Sequence, residues 1–141
     1  MGDRGGRTYH VRAQEVDWLT TYSNYPESLL QNYRLKRLIG GEAPISQKDV
    51  SLVVTELNPG TTYPSHSHPS PEIYYFLTGK VECNWEGETF VAEPGTAIYT
   101  PPNALHAMRN IGDEKAVMIV FWWGPDVNVL ATLDDESNNR P

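Results

Sequence analysis

Two histidines and a glutamate lie in the run Gly60-Thr-Thr-Tyr-Pro-Ser-His66-Ser-His68-Pro-Ser-Pro-Glu72-Ile-Tyr-Tyr-Phe-Leu-Thr-Gly79. Because side chains alternate across a β-strand, His66 and His68 project from the same face of one strand. The two prolines that follow cannot extend that strand, so we expect the chain to turn back and Glu72 to begin the neighbouring strand. The glutamate carboxylate would then lie beside the two imidazoles.

A third histidine follows in the run Gly95-Thr-Ala-Ile-Tyr-Thr-Pro101-Pro-Asn-Ala-Leu-His106-Ala-Met-Arg-Asn110, again after a proline turn. Three imidazoles and one carboxylate suit a divalent first-row metal and leave coordination positions free for water or substrate. A metal with open positions usually serves chemistry. An isolated His-x-His pair is more often a surface or core feature, but three of the four histidines in this chain follow the pattern. The sequence therefore predicts one mononuclear site for iron, manganese, nickel, cobalt or zinc.

The composition describes a single acidic domain. The chain has 141 residues, 39% of them hydrophobic, which is enough for one core without disulfides. Its net charge of −7 leaves no basic stripe for phosphates, so we expect no nucleic-acid partner. One cysteine excludes an internal disulfide and fits a reducing compartment. Because there is no apolar run of ~20 residues and no apolar leader, we expect a cytoplasmic protein without a membrane span.

Short strands separated by turn residues dominate the chain after residue 31. Alternating residues predict nine strands, at about 32–39, 51–57, 63–68, 72–77, 80–85, 88–91, 97–100, 106–110 and 116–123. Many short strands at even spacing are typical of a β-sandwich or a closed barrel. We therefore divide the chain into an N-terminal arm with a short helical or irregular segment (1–31), a barrel (32–124) and a partly disordered C-terminal extension (125–141).

The two runs resemble the motifs of the cupin superfamily. The first motif is matched without a departure by Gly60, His66, His68, Glu72 and Gly79. The second is matched by Gly95, Pro101, His106 and Asn110, while Asn103 replaces a glycine. Asparagine also tolerates a left-handed backbone, so the replacement is compatible with the motif. The resemblance implies an all-β, double-sheet jelly-roll barrel with one metal inside it. The ligands that it implies are His66, His68, Glu72 and His106.

One tyrosine is a candidate catalytic base. If Glu72 points into the barrel, Tyr74 does so too, and a nearby dication would lower the pKa of its hydroxyl. The pieces Glu72-Ile-Tyr74 and His106-Ala-Met-Arg109, with Phe121-Trp122-Trp123-Gly124, resemble the small cupin lyases that act on dimethylsulfoniopropionate. That resemblance implies that Tyr74 removes the proton alpha to a carboxylate. The alternative is a packing tyrosine whose hydroxyl bonds to the backbone.

Three functions remain open at this point. The leading hypothesis is a metal-dependent lyase of small carboxylates, with the metal as Lewis acid and Tyr74 as base. The alternative is a cupin dioxygenase, in which iron or another redox metal binds an enol- or catechol-like substrate with O2 and Glu72 is both ligand and base. The third is a domain that binds a small molecule without turnover. The candidate pocket residues are Tyr63, Phe76, Tyr99, Met108 and Arg34.

A carboxylate substrate would need a cation, and a second chain is also expected. The available cations are Arg34, Lys36, Arg37 and Arg109. Strand parity turns Arg109 away from the metal, whereas the direction of Arg34 and Lys36 stays open. Eight tyrosines and four tryptophans exceed the needs of one small barrel interior. Together with the resemblance, they favour a homodimer that buries an aromatic sheet face.

Overall fold

The computed structural model of the protein describes residues 9–22, 24–129 and 131–133. Within these ranges it contains a 3-10 turn at Ala13–Glu15, a short helix α1 (Glu27–Leu30) and ten strands. The strands are β1 (Tyr33–Ile39), β2 (Val50–Leu57), β3 (Thr62–Ser67), β4 (Glu72–Thr78), β5 (Val81–Trp85), β6 (Glu88–Ala92), β7 (Ala97–Thr100), β8 (His106–Asn110), β9 (Ala116–Trp123) and β10 (Thr132–Leu133). Each predicted strand is present, and its ends differ from the prediction by at most one residue.

The strands form two antiparallel five-stranded sheets. The first sheet has the order β1-β2-β9-β4-β7, and the second has the order β10-β3-β8-β5-β6. Non-consecutive neighbours in both sheets mean that the chain crosses repeatedly from one to the other, as in a jelly roll. The predicted all-β fold with little helix is therefore confirmed.

The inner faces of both sheets share one hydrophobic core. Along β4 and β5 every second residue is buried, which is the period of a strand with one face toward a core. Phe76 of the first sheet and Val81 of the second are both 0% exposed. Complete burial of a side chain of this kind stabilises the fold by ~1.5–3 kcal/mol. These contacts hold the sheets together around the interior.

Two left-handed residues of the motifs shape the turns near the site. Gly79 has φ +100, and a Cβ at this position would lie 2.6 Å from the Cα of Ala116, so no side chain fits. Asn103, which replaces the motif glycine, has φ 65, as expected for a residue in a left-handed backbone. Its N–H donates to the carbonyl oxygen of His68 at 2.7 Å. This bond ties the loop before β8 to the residue that follows β3.

Asn110, the last residue of the second motif, joins three backbone segments. Its side chain is 0% exposed. Its Nδ2 donates to the carbonyl oxygens of Leu57 at 2.8 Å and Glu114 at 2.9 Å. Its Oδ1 accepts a hydrogen bond from the N–H of Gly112 at 2.9 Å. A buried amide with this full set of partners stabilises the loops that it connects.

The segments before β1 and after β9 pack against the barrel. The N–H of Leu19 donates to the carbonyl oxygen of Leu35 at 2.8 Å, and Trp122 Nε1 donates to the carbonyl oxygen of Val127 at 3.0 Å. Strand β10, which the sequence did not predict, pairs with β3. Residues 134–141 of the predicted disordered extension lie outside the described residues. Among the described residues, no helix has the length and apolar character needed to cross a membrane.

Candidate metal centre

The Pro-Ser-Pro turn carries the chain from one sheet to the other. We expected Glu72 to begin the strand next to His66 and His68, and this expectation is wrong. Strand β3 pairs with β8 and β10, whereas β4 pairs with β7 and β9. Glu72 at the start of β4 therefore approaches His68 from the opposite wall of the barrel. His106, at the start of β8, completes a cluster that connects the two sheets.

The three side chains are close enough to share one ion. Glu72 Oε1 lies 3.1 Å from His68 Nε2 and 3.2 Å from His106 Nε2. The candidate ligand atoms of the three residues all lie within 4.8 Å of one another. Two atoms bound ~2.1 Å from one first-row cation at angles of about 90–110° are about 3.0–3.4 Å apart. The spacing between the carboxylate and each imidazole therefore suits a single metal.

Backbone carbonyls fix the orientation of both imidazoles. His68 Nδ1 lies 2.9 Å from the carbonyl oxygen of Ser70, and His106 Nδ1 lies 2.8 Å from that of Ala104. A carbonyl only accepts, so we infer that each Nδ1 carries the proton and each neutral ring has its lone pair at Nε2. His106 Nε2 is buried without a hydrogen-bond partner among the described residues. A buried lone pair facing a carboxylate is unfavourable unless a cation lies between them, so these residues fit a divalent metal.

The electrostatics of the cluster also favour a cation. Burial alone would raise the pKa of the Glu72 carboxyl, but His106 and His68 lower it to about 2. Burial lowers the pKa of His68, while Glu72 acts in the opposite direction, and the pKa ends above its ordinary value. Both net shifts arise because a buried carboxylate stabilises positive charge on its neighbours. A metal ion would supply that charge in place of a proton.

His66 lies beside this cluster rather than within it. The centroid of its ring is 3.9 Å from that of His106 and 4.0 Å from that of Tyr63 on the other side. Its Nδ1 lies 2.8 Å from the carbonyl oxygen of Pro64, so its lone pair is also at Nε2. Burial and the neighbouring His106 lower the pKa of His66 well below its ordinary value. The ring is therefore neutral, the state in which imidazole binds a metal, and His66 stays a predicted fourth ligand.

A cavity of about 310 Å³ lies next to the cluster. Its polar wall includes His68, Ser70 and Glu72. Its aromatic wall consists of Tyr22, Tyr25, Tyr33, Tyr63, Tyr74 and Trp122. The volume is near the lower end of the range for small-molecule sites, which is ≈300–1,000 Å³. The cavity therefore suits a ligand of few heavy atoms.

Tyr74 lines this cavity from the inner face of β4. It is 1% exposed, and its ring centroid lies 6.0 Å from that of His106. Among the described residues its hydroxyl makes no hydrogen bond, so the alternative of a packing tyrosine bonded to backbone finds no support. Burial raises the pKa of this hydroxyl well above its ordinary value, and the charge of Glu72 raises it further. The phenol is therefore protonated near neutral pH unless positive charge is added to the site.

Tyr63, a predicted pocket residue, belongs to the cavity wall. Its hydroxyl is hydrogen-bonded to that of Tyr25, and its ring stacks on Tyr33 with centroids 4.4 Å apart. Phe76 and Met108 also point inward, at 0% and 1% exposure, but they pack in the core and do not line the cavity. Tyr63 is therefore the pocket candidate, besides Tyr74, that can contact a ligand.

Two other pocket candidates require correction. Tyr99 is 58% exposed, because its cross-strand partner on β4 is the outward-facing Ile73. Arg34 forms an ion pair with Glu56 at 3.0 Å, and its guanidinium packs over the ring of Trp18. Neither residue lines the cavity.

Arg37 and Tyr22 line the cavity, although neither was among the predicted pocket residues. Arg37 shares one face of β1 with Tyr33, which is 2% exposed, and that alternation was readable from the sequence. The sequence did not show that this face points inward, because β1 carries apolar and basic residues on both faces. Arg109 is exposed, as strand parity predicted.

Comparison with known proteins places these observations in a family. Residues 53–122 match the family model Cupin_2, the cupin domain. The dimethylsulfoniopropionate lyase DddQ of Ruegeria pomeroyi is 30% identical over 112 residues, which cover 77% of this chain and 55% of the relative. The provisionally named dimethylsulfoniopropionate lyase DddL of Cereibacter sphaeroides is 28% identical over 147 residues, which cover 100% of this chain and 58% of the relative. The chain thus spans little more than half the length of these two relatives.

A dioxygenase and a solved structure complete the comparison. The 5-nitrosalicylic acid 1,2-dioxygenase of Bradyrhizobium sp. is 33% identical over 65 residues, 46% of this chain and 31% of the relative. The crystal structure of DddQ from Ruegeria pomeroyi aligns with a TM-score of 0.74 and 28% identity, covering 85% of this chain and 61% of the other. The partial resemblance to the dimethylsulfoniopropionate lyase cupins therefore extends from sequence to structure. By its motifs, its two sheets and these similarities, the chain belongs to the cupin superfamily.

Proposed function

We propose that the protein is a metal-dependent lyase that acts on a small carboxylate by proton abstraction and β-elimination. The observation that carries this proposal is the position of Tyr74, two residues after Glu72 and in the cavity that the cluster also lines. The similarity to DddQ and DddL supports the reaction class. Dimethylsulfoniopropionate enters as a test substrate because of that similarity.

The metal would be held by His68, Glu72 and His106, which lie close enough to share an ion, with His66 as the predicted fourth ligand. When bound, the cation would polarise the substrate carboxylate and stabilise a nearby phenolate. This second effect matters because burial and the Glu72 charge raise the pKa of Tyr74 well above its ordinary value. Tyr74 can therefore act as a base only when positive charge is added near its hydroxyl.

The chain supplies the proton acceptor for the elimination. Tyr74, as a phenolate, would take the proton from the carbon alpha to the carboxylate and hold it on its oxygen. The electron pair of the broken carbon–hydrogen bond becomes the new carbon–carbon double bond. The leaving group on the next carbon departs with the electron pair of its own bond. With dimethylsulfoniopropionate, the products would be dimethyl sulfide and acrylate.

The similarity to a dioxygenase favours a second candidate function. In that reaction a redox metal and O2 act on an enol- or catechol-like substrate, and Glu72 is both ligand and proton acceptor. The neighbouring histidines lower the pKa of Glu72 to about 2. We rank the lyase before the dioxygenase because Tyr74 offers a second proton acceptor in the cavity beside the cluster.

An assay in two atmospheres tests the proposal. Protein stripped with a chelator and reloaded with zinc, iron or manganese is incubated in air and under nitrogen. The substrates are dimethylsulfoniopropionate and small carboxylates that bear a leaving group on the β-carbon. We expect an unsaturated product in both atmospheres, including with redox-silent zinc. Product formation only in air, with oxygen consumption, would support the dioxygenase instead. Retention of a ligand without any product would support binding alone.

A further inference from the structure

Arg37 lies with its guanidinium inside the cavity. Its Cζ is 5.5 Å from the ring centroid of Tyr22 and 5.9 Å from that of Trp122. Its Nη2 is 3.5 Å from the Tyr22 hydroxyl, at the outer limit of a hydrogen bond. A Cβ on Gly41 would lie 2.9 Å from Nη1, so the absence of a side chain there makes room for this head group. The guanidinium therefore lies near two aromatic rings, in space that a side chain at position 41 would occupy.

This arginine has unused hydrogen-bonding capacity. A guanidinium presents five N–H donors and always carries its charge. Among the described residues, Arg37 forms no ion pair with a carboxylate, and its buried Nε has no hydrogen-bond partner. Arg34, on the same strand, instead forms an ion pair with Glu56 at 3.0 Å. A half-buried guanidinium without a counter-ion among the described residues is only partly solvated, so an anion brought by a ligand would stabilise it.

The register of the first sheet places Arg37 and the candidate base on the same inner face, three strands apart. Arg37 pairs with Val53, Val53 with Val120, and Val120 with Tyr74. These residues form one row of four strands, so the backbones at its ends are about 14 Å apart, three strand spacings of ~4.7–4.9 Å. The side chains of Arg37 and Tyr74 both line the cavity, so one ligand in it can contact both residues.

The pKa of the Tyr22 hydroxyl depends on charged groups at both ends of this cavity. Burial raises its pKa, Arg37 lowers it, and Glu72 raises it again, so the hydroxyl lies within the electrostatic field of both charged groups. With a divalent ion counted as +2, Glu72 as −1, Arg37 as +1 and Tyr74 still protonated, the groups of the cavity have a formal charge of +2 before the base loses its proton. A dianion would neutralise that charge. A zwitterion with a cationic end would leave it unchanged and would place a second cation near the guanidinium.

We propose that Arg37 and the Tyr22 hydroxyl bind a second anionic group of the substrate, so that the lyase site takes a small dicarboxylate rather than a zwitterion with a cationic end. The inference rests on the proposed function, because one carboxylate of the ligand lies at the metal cluster. Arg37 is suited to the second carboxylate, since its planar fork binds such a group through two parallel hydrogen bonds. The cation–π contacts with Tyr22 and Trp122 involve the charge of the guanidinium and use none of its N–H donors.

Calorimetric titration with two matched probes tests the inference without turnover. Succinate carries two carboxylates, and butyrate has the same carbon chain with one. We expect the zinc-loaded protein to bind succinate at least ~10-fold more tightly than butyrate, the size of one charge-assisted interaction. Arg37→Met should reduce this ratio to less than about threefold, and Arg37→Lys should retain part of it. Arg34→Met is the matched control and should leave the ratio unchanged.

The outcomes separate this inference from the proposed function. The inference would be overturned if Arg37→Met kept the wild-type ratio of succinate to butyrate affinity. It would also be overturned if the variant lost affinity for both probes equally, because that result indicates a structural role. Tighter binding of dimethylsulfoniopropionate than of succinate, or no binding of succinate at millimolar concentration, would overturn it as well. Chelator-stripped protein should still show the difference between wild type and Arg37→Met with succinate. These affinity ratios are measured without turnover, so failure of the lyase assay would not change them. If Arg37→Met does not fold, Tyr22→Phe and Arg37→Lys, checked by thermal melting, carry the test.

Discussion

His106 Nε2 lies 3.2 Å from Glu72 Oε1, buried and without a hydrogen-bond partner among the described residues. The opposite nitrogen of the same ring is engaged by the carbonyl oxygen of Ala104 at 2.8 Å. The ring therefore cannot rotate to satisfy its lone pair without losing that bond. Buried polar atoms of folded proteins are nearly always satisfied, so this pair of acceptors fits a site that could hold a cation. The metal hypothesis thus has a physical basis that is independent of motif matching.

Tyr74→Phe should abolish elimination and leave the metal in place. The substitution removes one oxygen from a buried ring, so the packing around it is retained. We expect kcat to fall by about 10²–10⁴-fold, the usual contribution of a positioned acid or base. Metal content by mass spectrometry and the melting temperature should match those of the wild-type protein.

The adjacent tyrosine provides the control for this substitution. Tyr75 is 44% exposed on the outer face of β4, so Tyr75→Phe makes the same chemical change outside the cavity. It should keep wild-type activity. Equal activity of the Tyr74→Phe and wild-type proteins would remove Tyr74 as the base and leave the reaction to another group.

Cys83 should be unreactive in the folded protein. The thiol is 0% exposed, and burial raises its pKa from 9.0 to about 12. The folded state therefore holds the thiol proton more tightly than the unfolded chain. Its contribution to stability is complete below about pH 9 and is lost as the pH rises toward about 12. We expect no reaction with an aromatic disulfide reagent near pH 8 until guanidinium unfolds the chain.

Two measurements check this behaviour of Cys83. Rapid stoichiometric modification of the folded protein near pH 8 would show that the thiol is accessible, contrary to the structure. Cys83→Ala should lose less stability than wild type when both are unfolded with denaturant across the alkaline range. Part of the alkaline loss should remain, because burial also raises the pKa of Tyr22.

Asn110→Ala should destabilise the barrel strongly. The substitution leaves two carbonyl oxygens, those of Leu57 and Glu114, and one N–H without their partner. An unsatisfied buried group costs ~1–3 kcal/mol, so we expect the free energy of unfolding to fall by roughly 3 kcal/mol. Denaturant titration measures this loss.

An exposed asparagine is the matched control. Asn84 Oδ1 accepts one hydrogen bond from the N–H of Gly87 at 2.9 Å in an exposed turn, where water can replace it. Asn84→Ala should therefore cost less than about 1 kcal/mol. Equal losses for the two variants would contradict the role given to the buried amide.

The strands and the cluster could be predicted because their signals are local. Alternation gave the strand positions, and the spacing of His68, Glu72 and His106 gave the residues that meet. The pairing of β3 was not predictable in the same way, since strand partners are set by contacts between distant residues. The turn after His68 therefore looked like a hairpin, although it crosses between sheets.

The pocket candidates show where local signals end. Parity decides which residues share a face, but the direction of each face depends on what packs against it. On β4 the metal ligand fixes the direction, so Tyr74 was predicted to point inward. Strands β1 and β7 carry no metal ligand that would fix the direction of their faces. Arg34 and Tyr99 were therefore predicted to line the pocket, whereas in the structure Arg37 lines it. The homodimer stays a prediction; the exposed Tyr75 and Tyr99 lie on the outer face that it would bury.

The metal content of the purified protein tests the central claim most directly. Elemental analysis after incubation with a divalent metal and desalting should give about one ion per chain for the wild type. His106→Ala removes a ligand from the cluster, whereas His10→Gln changes an exposed histidine outside it. We expect the first variant to retain little metal and the second to match the wild type. Equal metal content in His106→Ala and wild type, or none in either, would contradict the account.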